Sequence, residues 1–203
     1  MILSNTAIFD ALDDGRLVIS PEPQPRLRTL GGPPSPFGTT SVDLKLGPYL
    51  QVPAKDLSVL IDLRKPTRVA NTISRLSDAI AIDLDQGYRL EPENFVLGHT
   101  AEKVKLLLPT DFPEPAAGRP VLAARVEGKS SRARFGLLVH FTAPTIHAGF
   151  EGQITLEIMC LGPNPIVLYP GMDICQLIIE QVVGVPSESQ SQFHNQTMPS
   201  GTR

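Results

Sequence analysis

Short runs of apolar residues, many of them alternating with polar ones, follow one another along this chain. Residues 41–46 and 102–106 alternate with the period of a half-buried strand. Other short runs are rich in Val, Ile and Leu and are bounded by Gly or Pro, which is typical of strands. The predicted strands are residues 16–19, 41–46, 57–61, 95–97, 102–106, 121–126, 136–141, 153–158, 165–169 and 174–179. Many short strands separated by turns predict a mainly β fold: a sandwich, a barrel or a jelly roll.

Helical patterns are confined to two segments. In residues 4–14, Ser4 is a suitable N-cap and Gly15 a suitable stop, and the second predicted helix covers residues 68–80. Residues 21–40 are rich in Pro, Gly and Ser and predict a long loop. We therefore expect one domain over residues 1–186, followed by a polar, mobile tail over residues 187–203.

Composition narrows the class of protein further. With 203 residues the chain can bury a core without disulfides or a structural metal. Its 18 basic and 21 acidic side chains give a net charge of −3, which argues against general nucleic-acid binding. Cys160 and Cys175 lie in apolar runs and predict buried thiols in a reducing compartment. Without a signal-peptide pattern or a long apolar run, we expect a cytoplasmic protein that does not bind membranes.

A basic turn at residues 127–136 is the first candidate for chemistry. Gly128 permits a tight turn there, and cations and hydroxyls follow it at once: Lys129, Ser130, Ser131, Arg132 and Arg134. Positive charge and free backbone N–H groups at such a turn suit a phosphate chain. The alternative is an ordinary solvated basic turn. The P-loop motif is absent from the sequence.

Residues 142–157 form the second candidate. Strand alternation places Glu157 on the face opposite Ile154 and Ile158, so its carboxylate is either merely at the surface or used in a site. His147 is a candidate base or ligand, or simply an exposed loop residue. The motif of zinc deaminases is absent, and the usual ligand spacings are not found among Cys160, Cys175, His140 and His147. We therefore predict no catalytic zinc.

Several segments, in the same order, make the chain resemble the dCTP deaminase family, which shares its fold with the trimeric dUTP diphosphatases. The matching segments are residues 1–4, 41–47, 128–137, 149–157, 168–172 and 174–176. The resemblance implies a distorted jelly-roll subunit and a homotrimer whose active sites lie between subunits. It also implies dCTP as substrate, dUTP as product, Mg²⁺ on the triphosphate, and dTTP as an inhibitor that acts near residues 140–143.

The same resemblance implies the roles of individual residues. Ser130, Arg134 and Glu157 match the catalytic residues of the family. Glu157 would act as general acid and base, Ser130 would hold the attacking water, and Arg134 would position Glu157. The substrate-binding residues that it implies are Lys129, Ser131, Arg132, Ala133, Phe141, Ala143, His147, Thr155, Leu156, Gln176 and Gln196. A tail that closes over the site would exclude water.

Two departures from the family pattern affect the predicted product. His147 stands where most members have the Asp that contacts the sugar and, in diphosphatases, activates water. Residues 192–196 lack the Lys and the Tyr of the family's closing segment. Because Glu157 is present and that Asp is not, we predict deamination that stops at dUTP. The alternatives are a bifunctional enzyme that forms dUMP, supported by Gln176, and a nucleotide-binding regulator without turnover.

Overall fold

The computed structural model describes residues 1–54, 59–62, 69–187 and 195–200. Its helices are α1 (Asn5–Asp13), α2 (Val69–Leu76) and α3 (Ser130–Ala133), and two 3-10 turns cover Pro109–Asp111 and Glu114–Ala116. Its strands are β1 (Leu17–Ser20), β2 (Val42–Lys45), β3 (Tyr49–Pro53), β4 (Ser77–Ala81), β5 (Tyr88–Leu90), β6 (Phe95–Leu106), β7 (Leu122–Gly128), β8 (Leu137–Val139), β9 (Thr145–Ile146), β10 (Glu151–Cys160), β11 (Ile166–Leu168) and β12 (Asp173–Gln181). None of the helices in these described ranges has the length and apolarity needed to span a bilayer.

The strands form antiparallel sheets that enclose one hydrophobic core. The larger sheet has the order β4-β3-β6-β10-β8, with β1 also paired to β6. The second sheet has the order β2-β12-β7-β9, and β5 pairs with β11. Buried residues from the larger and the second sheet belong to the same core, among them Leu44, Val126, Leu156 and Leu177. The predicted mainly β, distorted jelly-roll fold is confirmed.

Strand β10 has the alternation that the sequence predicts. Its even-numbered residues, including Ile154, Leu156 and Ile158, are buried, and its odd-numbered residues are half-buried. Glu157 therefore lies on the outer face of the larger sheet, as predicted. The backbone N–H of His140 donates to the Glu157 carbonyl over 2.7 Å, which joins the end of β8 to this part of β10.

Five predicted elements differ from the structure. The predicted helix 68–80 ends at Leu76, because residues 77–81 pair with β3 as strand β4. Residues 59–61 are not in a strand, which makes the predicted strand 57–61 wrong there, and residues 57, 58 and 68 lie outside the described residues. The predicted strands 95–97 and 102–106 are a single strand, β6. The predicted strand 136–141 ends at Val139, where His140 adopts a φ of 56°.

Glu102 is a buried carboxyl group in β6. Its side chain is 3% exposed, and its Oε2 accepts the backbone N–H of Lys45 over 3.0 Å. Burial raises the pKa of Glu102, and the hydrogen bond from Lys45 opposes this only in part. The folded protein therefore binds this proton more tightly than the unfolded chain does.

We expect the free energy of unfolding of Glu102→Gln to increase relative to that of the wild type as the pH rises. Ionised Glu102 is less stable in the folded state than in the unfolded chain, so the wild type loses stability as the pH rises from about 4.5 through the raised pKa. Glutamine does not ionise, and the variant has no such loss. Urea unfolding of both proteins between pH 4.5 and 7.5 measures the difference. Glu151→Gln is the matched control, because hydrogen bonds from Lys103 and Lys105 lower the pKa of Glu151. A lowered pKa affects stability mainly at and below about pH 4.5, so the difference between Glu151→Gln and wild type should stay nearly constant over this range. A parallel rise in both variants would contradict the prediction.

Candidate functional site

The basic turn predicted from the sequence is the connection between β7 and β8. The N–H groups of Arg132 and Ala133 both donate to the carbonyl of Lys129 over 2.9 Å, which closes the single turn of α3. Gly136 then takes a φ of 88°, and a Cβ at this position would clash with the backbone of Gly162. The turn therefore has a defined conformation, and it presents exposed side chains to solvent: Ser130, Ser131, Arg132, Ala133 and Arg134.

A surface cleft lies beside this turn. Its volume is about 580 Å³, and its walls include Arg132, Arg134, Phe135, Leu161, Ile166 and Met172. Guanidinium groups and apolar side chains among its lining residues are suited to a ligand that carries both anionic and less polar parts. Glu157 is not among the residues that line this cleft.

Lys129 and Gln176 both contact Asp43, an aspartate that the sequence analysis did not identify as a site residue. The Lys129 ammonium pairs with the carboxylate of Asp43 in β2. The Gln176 amide donates to Asp43 Oδ1 over 3.2 Å and lies 3.5 Å from the Ser41 hydroxyl. Asp43 belongs to the alternating segment 41–46. Its place on the face opposite the buried Val42 and Leu44 is the sequence pattern from which an outward-facing carboxylate could have been predicted. The pair with Asp43 uses one of the three N–H donors of Lys129 and leaves the others for a phosphate.

Glu157 is held by Thr142, a second residue that the sequence analysis missed. The Thr142 hydroxyl donates to the carboxylate, at 2.6 Å from Oε1 and 2.7 Å from Oε2, and its backbone N–H donates to Oε2 over 3.1 Å. Thr142 is exposed, so the carboxylate is held in place next to solvent. A carboxylate in this setting can accept a proton from a neighbouring water and pass it on.

The loop at residues 140–143 is shaped by His140. Its Nε2 donates to the carbonyl of Ala143 over 2.6 Å, which leaves Nδ1 as an acceptor. Phe141 is 46% exposed, and its ring packs edge-on against Phe95 with centroids 6.3 Å apart. The Ala143 carbonyl has a second lone pair, so it can accept a hydrogen bond from a ligand as well as the one from His140.

His147 is exposed in the turn between β9 and β10, and its carbonyl accepts the N–H of Phe150 over 3.1 Å.

Gln196 lies at the beginning of β10 and is 5% exposed. Its carbonyl accepts the N–H of Gln153 over 3.0 Å, and its side chain donates to the Gln153 carbonyl over 2.7 Å. Residues 195 and 196 of the tail are thus bonded to the start of β10. In the tail segment that differs from the family pattern, residues 192–194 lie outside the described residues.

Two further predicted residues lie next to Glu157 in β10. The Leu156 side chain is fully buried in the core, so only its backbone can meet a ligand. Thr155 is on the outer face with Glu157, and its hydroxyl is buried without a hydrogen-bond partner among the described residues.

The predicted catalytic residues fall into two groups in one chain. Ser130 and Arg134 lie on the α3 turn, whereas Glu157 is bonded to Thr142. Across residues 1–54, 59–62, 69–187 and 195–200, Arg134 makes no ion pair and no hydrogen bond with Glu157.

Cys160 and Cys175 are buried free thiols, and burial strongly raises the pKa of Cys175. The same ranges contain no cluster of three or more His, Cys, Asp or Glu side chains arranged to hold a metal.

Comparison with known proteins gives matches over almost the whole chain. A family model described as dCTP deaminase-like matches residues 2–182. A dUMP-forming dCTP deaminase of Dictyoglomus thermophilum is 36% identical over 209 residues, which cover 100% of this chain and 94% of that protein. A dCTP deaminase of Rhodospirillum rubrum is 34% identical over 189 residues, which cover 93% of this chain and 86% of that protein.

A solved structure has the same fold. The crystal structure of 2′-deoxycytidine 5′-triphosphate deaminase from Agrobacterium tumefaciens superimposes with a TM-score of 0.57 and 24% sequence identity. The match covers 88% of this chain and 47% of that longer chain.

Proposed function

This chain belongs to the dCTP deaminase-like family, and on that premise we propose that it hydrolyses dCTP to dUTP and ammonia without zinc. The observation that carries the proposal is the carboxylate of Glu157, which Thr142 holds at the outer face of β10. Zinc-independent deamination needs such a group, because no metal is available to activate the water.

Glu157 accounts for the proton transfers of the reaction. Its carboxylate takes a proton from water as the water oxygen bonds to C4 of cytosine, and it delivers that proton to N3. It then moves a second proton from the new C4 hydroxyl to the amino group. The C4–N bond breaks, ammonia leaves, and the carbonyl of uracil forms. Ser130 would hold the water, and the Arg134 cation would stabilise the charge that develops on the base.

The turn at α3 supplies the chemistry for the triphosphate. Arg132 is an exposed cation at the cleft, and Ser131 adds a hydroxyl, whereas Arg134 acts on Glu157 and the base. Lys129 would join them with the N–H donors that Asp43 does not use, and Ala133 would contribute only its backbone. Mg²⁺ would be held chiefly by the phosphate oxygens and would screen their charge. The remaining substrate contacts that we propose are those of Phe141, Ala143, His147, Thr155, the backbone of Leu156, Gln176 and Gln196.

We also propose that the active protein is a homotrimer with its sites between subunits. The support is the separation of Glu157 from Arg134 in one chain, which a second copy would overcome by placing its α3 turn beside Glu157. The exposed Phe141 ring beside Glu157 would be covered in the same contact. We further propose inhibition by dTTP, with residues 140–143 shifting between states, and a cytoplasmic location.

A second product has specific support. The Dictyoglomus thermophilum relative is named as dUMP-forming, and Gln176 is held at Asp43 near the end of β7. Against it, His147 offers an imidazole where a carboxylate would be needed to activate water for diphosphate cleavage. We therefore propose dUTP as the main product and dUMP as the alternative.

The test is incubation of the purified protein with dCTP and Mg²⁺, with measurement of ammonia and chromatographic separation of the nucleotides. Ammonia together with accumulating dUTP is expected, and a zinc-selective chelator should leave the rate unchanged. Ammonia with dUMP and pyrophosphate would establish the bifunctional alternative. Absence of ammonia, with dCTP or dTTP still bound, would overturn the enzymatic proposal and favour a nucleotide-binding regulator.

A further inference from the structure

Asp43 attaches the N-terminal end of the α3 turn to the second sheet. Its Oδ2 pairs with the Lys129 ammonium, and its Oδ1 accepts the Gln176 amide over 3.2 Å. The two charged side chains are mostly buried, with 16% of Lys129 and 18% of Asp43 exposed. Both oxygens of Asp43 are therefore engaged, and the carboxylate has a defined position on the outer face of this sheet.

The ion pair links two strands that are not neighbours. In the second sheet β12 lies between β2 and β7, and Gln176 pairs with Asp43 on one side and with Glu127 on the other. Lys129 follows the end of β7, so its side chain reaches past β12 to a carboxylate of β2. A lysine side chain loses much rotational freedom when its ammonium is held. The backbone of the turn and Asp43 therefore fix Lys129 at both ends.

The α3 turn is attached to the sheets at its two ends. The side chains of residues 130–134 are exposed, and the hydrogen bonds that close the turn end on the Lys129 carbonyl. At the other end the Gly136 carbonyl accepts the N–H of Leu161 over 2.8 Å. Lys129 thus connects the start of the turn to the sheet, and its place there depends on Asp43.

We propose that Asp43 is a positioning residue for the triphosphate: it fixes Lys129 and the start of the α3 turn, so that the N–H donors of Lys129 outside the ion pair meet the phosphates. The proposal rests on the proposed deaminase function. Asp43 acts only through Lys129 and does not touch the nucleotide. Its negative charge by itself repels a triphosphate, so charge and positioning have opposite effects on binding. Removal of the charge shows which of the two dominates.

Asp43→Asn removes the charge and keeps both the shape and an acceptor for Gln176. The KM for dCTP should rise about tenfold, with kcat changed less, because a charge-assisted contact to the phosphates is misplaced. Glu127→Gln is the matched control. It also removes a carboxylate close to Lys129 in the chain, but the ion pair of Glu127 is with Arg125. The control should not raise KM.

A double variant tests whether Asp43 acts through Lys129. KM should also rise in Lys129→Met, and the addition of Asp43→Asn should raise it no further. A fall in KM of Asp43→Asn would overturn the proposal by showing that its charge dominates. Additive rises in the double variant would overturn it as well, because Asp43 would then act by another route.

Amide hydrogen exchange tests the attachment without nucleotide. The N–H groups of Arg132 and Ala133 are bonded to the Lys129 carbonyl, and they should exchange about fivefold faster in Asp43→Asn. They should exchange at the wild-type rate in Glu127→Gln. Unchanged exchange in Asp43→Asn would overturn the proposal, and Lys129→Met gives the same test if Asp43→Asn does not fold. Absence of ammonia from the wild type would count against the proposed function, and the exchange rates would still test the role of Asp43.

Discussion

Glu157→Gln is expected to lower the rate of dCTP deamination by about 10²–10⁴-fold, the range for loss of a general acid and base. Glutamine has nearly the same shape as glutamate but cannot take a proton from water at neutral pH. Its amide oxygen can still accept the N–H of Thr142, and its amide nitrogen can donate to the Thr142 hydroxyl. The loop at residues 140–143 should therefore keep its position, and nucleotide binding should largely survive.

The measurement is kcat from ammonia release, together with the dissociation constant of dCTP from calorimetry. Glu151→Gln is the matched control, because Glu151 lies on the same face of β10 but pairs with Lys103 and Lys105. The control should retain its rate. Full activity of Glu157→Gln would contradict the mechanism. Loss of dCTP binding together with the rate would mean that Glu157 chiefly binds the base.

Arg134→Gln is expected to lower kcat by about 10²–10³-fold, the usual cost of removing one donor that stabilises developing charge. Glutamine keeps a hydrogen-bonding end but lacks the charge and the reach of the guanidinium. Arg89→Gln is the control, since Arg89 is an exposed cation whose partner is the neighbouring Glu91. Comparable losses in both variants would indicate a general charge effect and not a role in the site.

Arg134→Gln and Glu157→Gln together test how the site is assembled. Glu157 and Arg134 are not joined within one chain, so we expect them to meet across a subunit boundary. Glu157→Gln and Arg134→Gln chains, each inactive alone, should then regain activity when they are expressed together, because some mixed sites hold both native residues. Sedimentation would report the size of the assembly. No recovery from a mixed assembly would place both residues of a site in the same chain.

Local pattern predicted much of this fold because each prediction depended on neighbours in sequence. The alternation of Ile154, Leu156 and Ile158 predicts both strand β10 and the outward direction of Glu157. Ser4 predicts the start of α1, where its hydroxyl accepts the N–H of Ala7. Residues 77–80 were wrongly predicted as helix. Their strand β4 pairs with β3, and a helical pattern within the segment contains no information about that strand.

The class of fold, the face on which Glu157 lies and the cations of the α3 turn could be read from the sequence, since the strand period and the turn chemistry are local properties. The groups that hold the site residues became visible only in the folded chain: Thr142 at Glu157, Asp43 at Lys129, and Gln196 at the start of β10. Those partners are distant in sequence, and sheet order and register bring them together. A register shift in the β6–β10 ladder, between Gln153 and Thr155, likewise sets Thr155 against His99, a pairing that no local period could have specified.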